Sequence, residues 1–145
     1  MSDKLIKRAL KAMETDFAYS KIKLNSSGKV KDYCRLHIGA SIDEVFGVIF
    51  LNSQFEFIAF EKFFTGTINE CHIYARPILR KAFELNASKM IFTHNHPSDN
   101  NNPSEGDITM TRELNKIFKK LECPIVDHII VTPTGASSMA DSHAF

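Results

Sequence analysis

Apolar positions along the chain change period several times, and each change marks an element. Over residues 3–15, Leu5, Ile6, Ala9, Leu10 and Met13 recur at helical spacing and predict a short amphipathic helix. Residues 16–27 read as a connector that closes on Asn25-Ser26-Ser27-Gly28. Ser26 or Ser27 can cap a second helix there, running to about His37 with Val30, Tyr33, Cys34 and His37 on one side. From Glu44 the helical period is lost. Val45-Phe46-Gly47-Val48-Ile49-Phe50-Leu51 is a continuous apolar, β-rich run, as a strand buried on both faces requires. Asn52-Ser53-Gln54 turns the chain, Phe55–Phe64 returns as the second strand of a hairpin, and Thr65-Gly66-Thr67 ends it.

Helical spacing resumes from Arg76 to about Leu85. Ile78, Leu79, Ala82 and Phe83 face inward, and Pro77 sits in the first turn, where its missing N–H costs nothing. Lys89–Thr93 is a short buried strand that runs straight into His94. Ser104 opens the next helix with Glu105 and Asp107 in its first turn, where the helix dipole favours acids. Its apolar stripe is Ile108, Thr111, Leu114, Ile117, Phe118 and Leu121, and Pro124 ends it. Ile125–Thr132 forms a further strand and Ser137–Ala140 a last short one. Interleaved strands and helices define an α/β or α+β class, with a mixed, curved sheet flanked by helices. The Phe-rich hairpin at 55–64 is expected to serve the core; an interface in a homodimer is the alternative.

Composition sets outer bounds. A chain of 145 residues, 43% hydrophobic and 24% charged, suits one domain with a real core. A net charge of +1 makes the whole molecule no obvious polyanion binder. Charge is uneven, however. Lys4, Lys7, Arg8, Lys11, Lys21, Lys23, Lys29 and Lys31 outnumber the acids over residues 1–31, either as a solvated helix face or as a contact for nucleic acid or an acidic partner. The solvated face is the simpler reading. Cys34, Cys71 and Cys123 are odd in number and widely spaced, which fits free thiols in a reducing cytoplasm rather than a disulfide framework. The N-terminal residues lack the long apolar stretch of a signal peptide, and no apolar run is long enough for a membrane span.

The chemistry concentrates between Thr93 and Asp107, where the sequence reads THNHPSDNNNPSEGD. Two imidazoles, His94 and His96, stand two residues apart at the end of a strand. There alternate side chains point the same way, which a helix would forbid. Asp107, in the first turn of the following helix, comes within reach if the intervening polar, proline-bounded loop folds back. Two histidines and a carboxylate are the ligand mixture of an open zinc site, whose fourth position is left to water.

This stretch resembles the JAMM, or MPN+, metalloprotease motif, H-x-H-P followed by S-x-x-D. The wider context resembles the bacterial RadC-like branch of that superfamily. The anchors are His94-Asn95-His96-Pro97-Ser98, Pro103-Ser104-Glu105-Gly106-Asp107, Glu44-Val45-Phe46, Gly66-Thr67 and Asp127-His128-Ile129-Ile130-Val131, spread over roughly residues 25–140. The resemblance implies a JAB/MPN fold of cytidine-deaminase-like architecture and one zinc ion per chain, held by His94, His96 and Asp107. It implies that Glu44 acts on the water at the metal, and that Ser104 donates a hydrogen bond to the oxyanion of a tetrahedral intermediate. The implied reaction is hydrolysis of an amide, in a peptide or isopeptide. Taken alone, Glu44 could be a polar strand end and Ser104 only a helix cap. Asp127 and His128 match the family and are expected to stand behind the site or to be structural, and Asn95 to brace the loop. His37, His72 and His143 have no partner pattern.

The chain departs in places from the family pattern it resembles. A basic N-terminal helix and connector, residues 1–24, is expected ahead of the metal domain at 25–145 where longer members carry a helical region, and DNA binding by that region is not expected to carry over. Asp99 stands where the family usually has Gly, and is expected to add a charge near the metal. The competing reading is a non-catalytic MPN-type module that binds a protein or a DNA-repair assembly. A nucleobase deaminase is excluded by the missing H-x-E and P-C-x-x-C ligands.

Overall fold

A computed structural model describes residues 3–19, 24, 26–66 and 73–145, with the backbone alone for 17–19. Thr67, Cys71, His72 and residues 20–23 and 25 of the expected connector lie outside the described residues. The order of elements is α1 (Asp3–Tyr19), α2 (Ser27–Ile38), β1 (Glu44–Leu51), β2 (Phe57–Gly66), α3 (Ala75–Glu84), β3 (Lys89–Asn95), α4 (Glu105–Lys120), β4 (Ile125–Val131) and β5 (Ala136–Ser138). Among the described residues the strands form one sheet in the order β2-β1-β3-β4-β5. The β3–β4 pair is parallel, with α4 as the crossover, and the other pairs are antiparallel. This is the mixed sheet flanked by helices that the pattern predicts.

Each side of the sheet has its own core. Strand alternation sends Val45, Ile49, Leu51 and Ile91 to one face, where Val30, Tyr33, Cys34 and Ile38 of α2 cover them. The same alternation sends Phe46, Val48, Phe50, Met90 and Phe92 to the other face, under Ile78 and Ala82 of α3 and Leu114 and Phe118 of α4. Every residue of β1 is buried, so its lack of alternation reports a central strand sandwiched between two layers. Gly47 is required by close approach, since the Phe60 ring lies 2.5 Å from where its Cβ would be.

Several expectations shift. Helix α1 runs on to Tyr19 rather than stopping at residue 15. Strand β2 begins at Phe57, two residues late, because Asn52 captures the amides of Gln54 and Glu56 and puts Phe55 in the left-handed region at φ 64°. Phe55, Phe57 and Phe60 pack on one core, and Ile58, Phe63 and Phe64 on the other, as the core reading of the hairpin requires. Phe83, expected inward, is exposed, as are Ile117 and Leu121. Amphipathic spacing tolerates apolar residues at the margin of a stripe, and these positions fall at that margin. Leu5 is exposed for the same reason.

Candidate metal centre

Strand β3 delivers the first candidate ligand directly out of the core. Met90, Phe92 and His94 point to the α4 side, and His94 pairs across the ladder with Phe46, so the buried apolar face ends in an imidazole. The His96 amide donates to the Val131 carbonyl at 2.8 Å, which keeps the chain extended for one more alternation and puts both rings on one side. Glu44 begins β1 two positions before Phe46 and therefore shares that side.

Asp107 arrives from α4 by way of its cap. The Ser104 Oγ accepts from the Asp107 amide at 3.0 Å, and the Asp107 Oδ2 accepts from the Ser104 amide at 2.9 Å. This reciprocal capping box fixes the carboxylate while satisfying two N–H groups that the helix start would leave unpaired. Ser104 was legible as a cap; the return bond from Asp107 was not, because the usual box carries Glu or Gln at that position. Helix α2 starts on Ser26 with no side-chain cap at all.

The three ligand atoms converge. His94 Nε2 lies 3.0 Å from His96 Nε2 and 3.4 Å from Asp107 Oδ1, and His96 Nε2 lies 3.2 Å from Asp107 Oδ2. Metal–ligand bonds of about 2.0–2.1 Å in a tetrahedron put neighbouring ligand atoms about 3.3–3.4 Å apart, close to these separations, in which both oxygens of Asp107 take part. Two imidazole nitrogens at 3.0 Å, with a carboxylate beside both, are a donor set that fits a divalent cation, and this group could hold a metal ion. The far ring nitrogens are occupied. His96 Nδ1 donates to the Asn100 carbonyl at 2.9 Å. His94 Nδ1 meets His128 Nε2 at 2.6 Å, and His128 Nδ1 meets the Thr111 hydroxyl at 2.7 Å.

The electrostatics follow from burial and contact. Burial resists ionisation of Asp107, but hydrogen bonds from His94 and His96, and from the Ser104 amide, overcome it and hold the carboxyl well below its usual range. The Asp107 hydrogen bond raises the pKa of His96 against its partial burial. Burial pushes the Glu44 carboxyl above its usual range, and His94 and His96 pull it part of the way back. His128 is completely buried, which drives its pKa well below the usual value and keeps it neutral.

These groups line one cleft of about 490 Å³, walled by Glu44, His94, His96, Ser104 and Asp107, with Phe46, Pro97 and Met110 as its apolar side. Asp99 does not bring its charge to this cleft: its carboxylate accepts from Thr134 Oγ1 at 3.0 Å and ties the loop to the β4–β5 turn. Asn95 braces the segment that leads into β1, on the other face of the sheet, rather than its own loop. Its Oδ1 accepts from the Val45 amide and its Nδ2 donates to the carbonyls of Ser41 and Asp43, which pins the approach to Glu44. His128 stands behind a ligand, and Asp127 is structural, accepting from Ser138 Oγ and from the amides of His128 and Ala140. His37 packs its ring on Phe60 at 4.0 Å.

The fold and the corner of ligands define an α+β domain with a candidate metal site at one end of its sheet. Residues 24–144 match the family described as the RadC-like JAB domain, and the chain belongs to that family. It is 36% identical over 128 residues to the UPF0758 protein YkfG of Escherichia coli K12, covering 88% of this chain and 81% of that one. It is 39% identical over 127 residues to a UPF0758 protein of Ralstonia nicotianae, and 39% over 117 residues to one of Paracidovorax citrulli. The matches cover 56% and 49% of those two proteins, so the chain spans about half their length. No helix among the described residues is long and apolar enough to cross a membrane.

Proposed function

We propose that the chain is a zinc-dependent hydrolase of an amide bond, in a peptide or isopeptide. The observation that carries this reading is the convergence of His94, His96 and Asp107 in the same cleft as the buried carboxyl of Glu44. A zinc ion held there supplies Lewis acidity and makes a water acidic near neutral pH. Glu44 takes a proton from the attacking water on its carboxylate and delivers it to the departing nitrogen. Its upward-shifted pKa suits both halves of that exchange. The Ser104 cap uses a hydroxyl lone pair and leaves the proton to be donated to a developing oxyanion. No lysine or arginine lines the cleft among the described residues, which favours a neutral amide over a phosphoester.

A carboxyl held buried beside the ligands supports catalysis over the alternative of a binding module. The basic residues Lys4, Lys7, Arg8 and Lys11 are exposed along α1 and are read as a solvated face rather than a nucleic-acid contact. The buried, unpaired thiols of Cys34 and Cys123 are consistent with work in the cytoplasm.

Metal analysis of purified protein tests the site, and a peptide and isopeptide screen tests the activity. We expect zinc in the wild type, none in Asp107→Ala, and zinc without hydrolysis in Glu44→Gln. Full activity in Glu44→Gln alongside its loss in Asp107→Ala would remove Glu44 as the base.

A further inference from the structure

We infer that Thr111 is a positioning residue that determines, through His128, which nitrogen of His94 is offered to the metal. The available hydrogens fix the direction of each bond. A threonine hydroxyl has one, and the Thr111 Oγ1 spends it on the Asp107 carbonyl, 2.7 Å away, because a carbonyl can only accept. Towards His128 Nδ1, at 2.7 Å, the hydroxyl can then only accept, so that nitrogen carries the hydrogen. A neutral imidazole has one ring hydrogen, and His128 Nε2 is therefore bare. It accepts across 2.6 Å from His94 Nδ1, so in the neutral ring of His94 the lone pair sits on Nε2, directed at His96 and Asp107, and a hydrogen bond from that nitrogen to Asp107 belongs to the protonated ring.

The surroundings enforce the count. His128 lies fully buried against the rings of Phe46 and Phe92, and the described hydrogen-bond partners of its ring are His94 and Thr111. Thr111 stands one helical turn after Asp107 on the same stripe of α4, so one helix supplies a ligand and sets the tautomer of another. Groups behind a ligand commonly alter metal affinity by about 10–100-fold.

This inference rests on the reading of His94, His96 and Asp107 as a metal site, and its test separates the two. The ring nitrogens of His94 are observed by ¹⁵N NMR in zinc-free protein above neutral pH, and zinc affinity is measured by competition with a chelator. Wild type and Thr111→Ser are expected to carry the His94 hydrogen on Nδ1. In Thr111→Val, His128 loses its acceptor and can reverse. The His94 hydrogen then moves to Nε2, and zinc binds about tenfold or more weakly. Thr111→Val with an unchanged tautomer and unchanged zinc affinity overturns the inference, as does a Thr111→Ser variant no better than Val. If Thr111→Val does not fold, His128→Gln replaces it, since its carbonyl can accept from His94 while its amide donates to Thr111. It should bind zinc better than His128→Leu, and equality of the two overturns the relay. A wild type whose His94 hydrogen responds to Thr111→Val but which takes no zinc upholds the relay and refutes the metal site.

Discussion

His94 and Asn95 are neighbours on β3, both buried and both polar, yet they face opposite sides of the sheet and do different things. Asn95 satisfies itself inside the protein, with one accepted and two donated hydrogen bonds to the backbone of residues 41–45. His94 satisfies one nitrogen on His128 and turns the other toward His96 and Asp107, in a group that could hold a metal ion. Burial alone does not separate a structural polar group from a binding one. Unmet valence does, and one step along a strand switches between them.

That contrast can be broken first at Asn95. Asn95→Leu keeps the volume but strands the Val45 amide and the carbonyls of Ser41 and Asp43, and should cost on the order of 3 kcal/mol in urea unfolding of zinc-free protein. Zinc stoichiometry should survive, since no ligand is removed. His94→Leu should do the reverse: it abolishes zinc binding yet costs the zinc-free protein less, on the order of 2 kcal/mol, because it strands one buried group, His128 Nε2, where Asn95→Leu strands three. If His94→Leu were the more destabilising of the two, the division would be wrong.

A smaller effect sharpens the comparison at the helix start. Ser104→Ala should cost about 1 kcal/mol through the lost cap. It should also weaken zinc binding, because the capping box holds Asp107. Ser26→Ala at the start of α2 should cost less, since that serine caps nothing.

Acid gives the gentlest probe. The folded pKa of His128 lies below its unfolded value, so the unfolded chain binds the extra proton. The penalty from His128 in zinc-free protein should be absent above about pH 6.5 and grow as pH drops below that value. His128→Gln should flatten this part of the curve. His96, whose pKa is raised, acts in the opposite sense and in the window above its usual value.

Much of this was legible in the chain, for physical reasons that differ by element. β1 was plain because burial on both faces removes all polar punctuation. The gathering of His94, His96 and Asp107 was plain because a strand of period two followed by a capped helix leaves few ways to place H-x-H and S-x-x-D. Phe83, Ile117 and Leu121 misled because periodicity locates a stripe but not its edge. Asp99 misled because a charge close in sequence to the ligands is drawn off by Thr134, whose position depends on tertiary structure. Thr111 went unseen as a polar group: at a stripe position its methyl satisfies the apolar pattern and hides the hydroxyl.

All three candidate ligands fall within residues 94–107, a single strand end, loop and cap, whereas Glu44 comes from far upstream on β1. The ligand segment behaves as a cassette that could be inherited, grafted or excised as one piece. The carboxyl that would turn binding into turnover is held separately, pinned in place through Asn95. A lineage could therefore give up catalysis by altering one strand and still keep its ion.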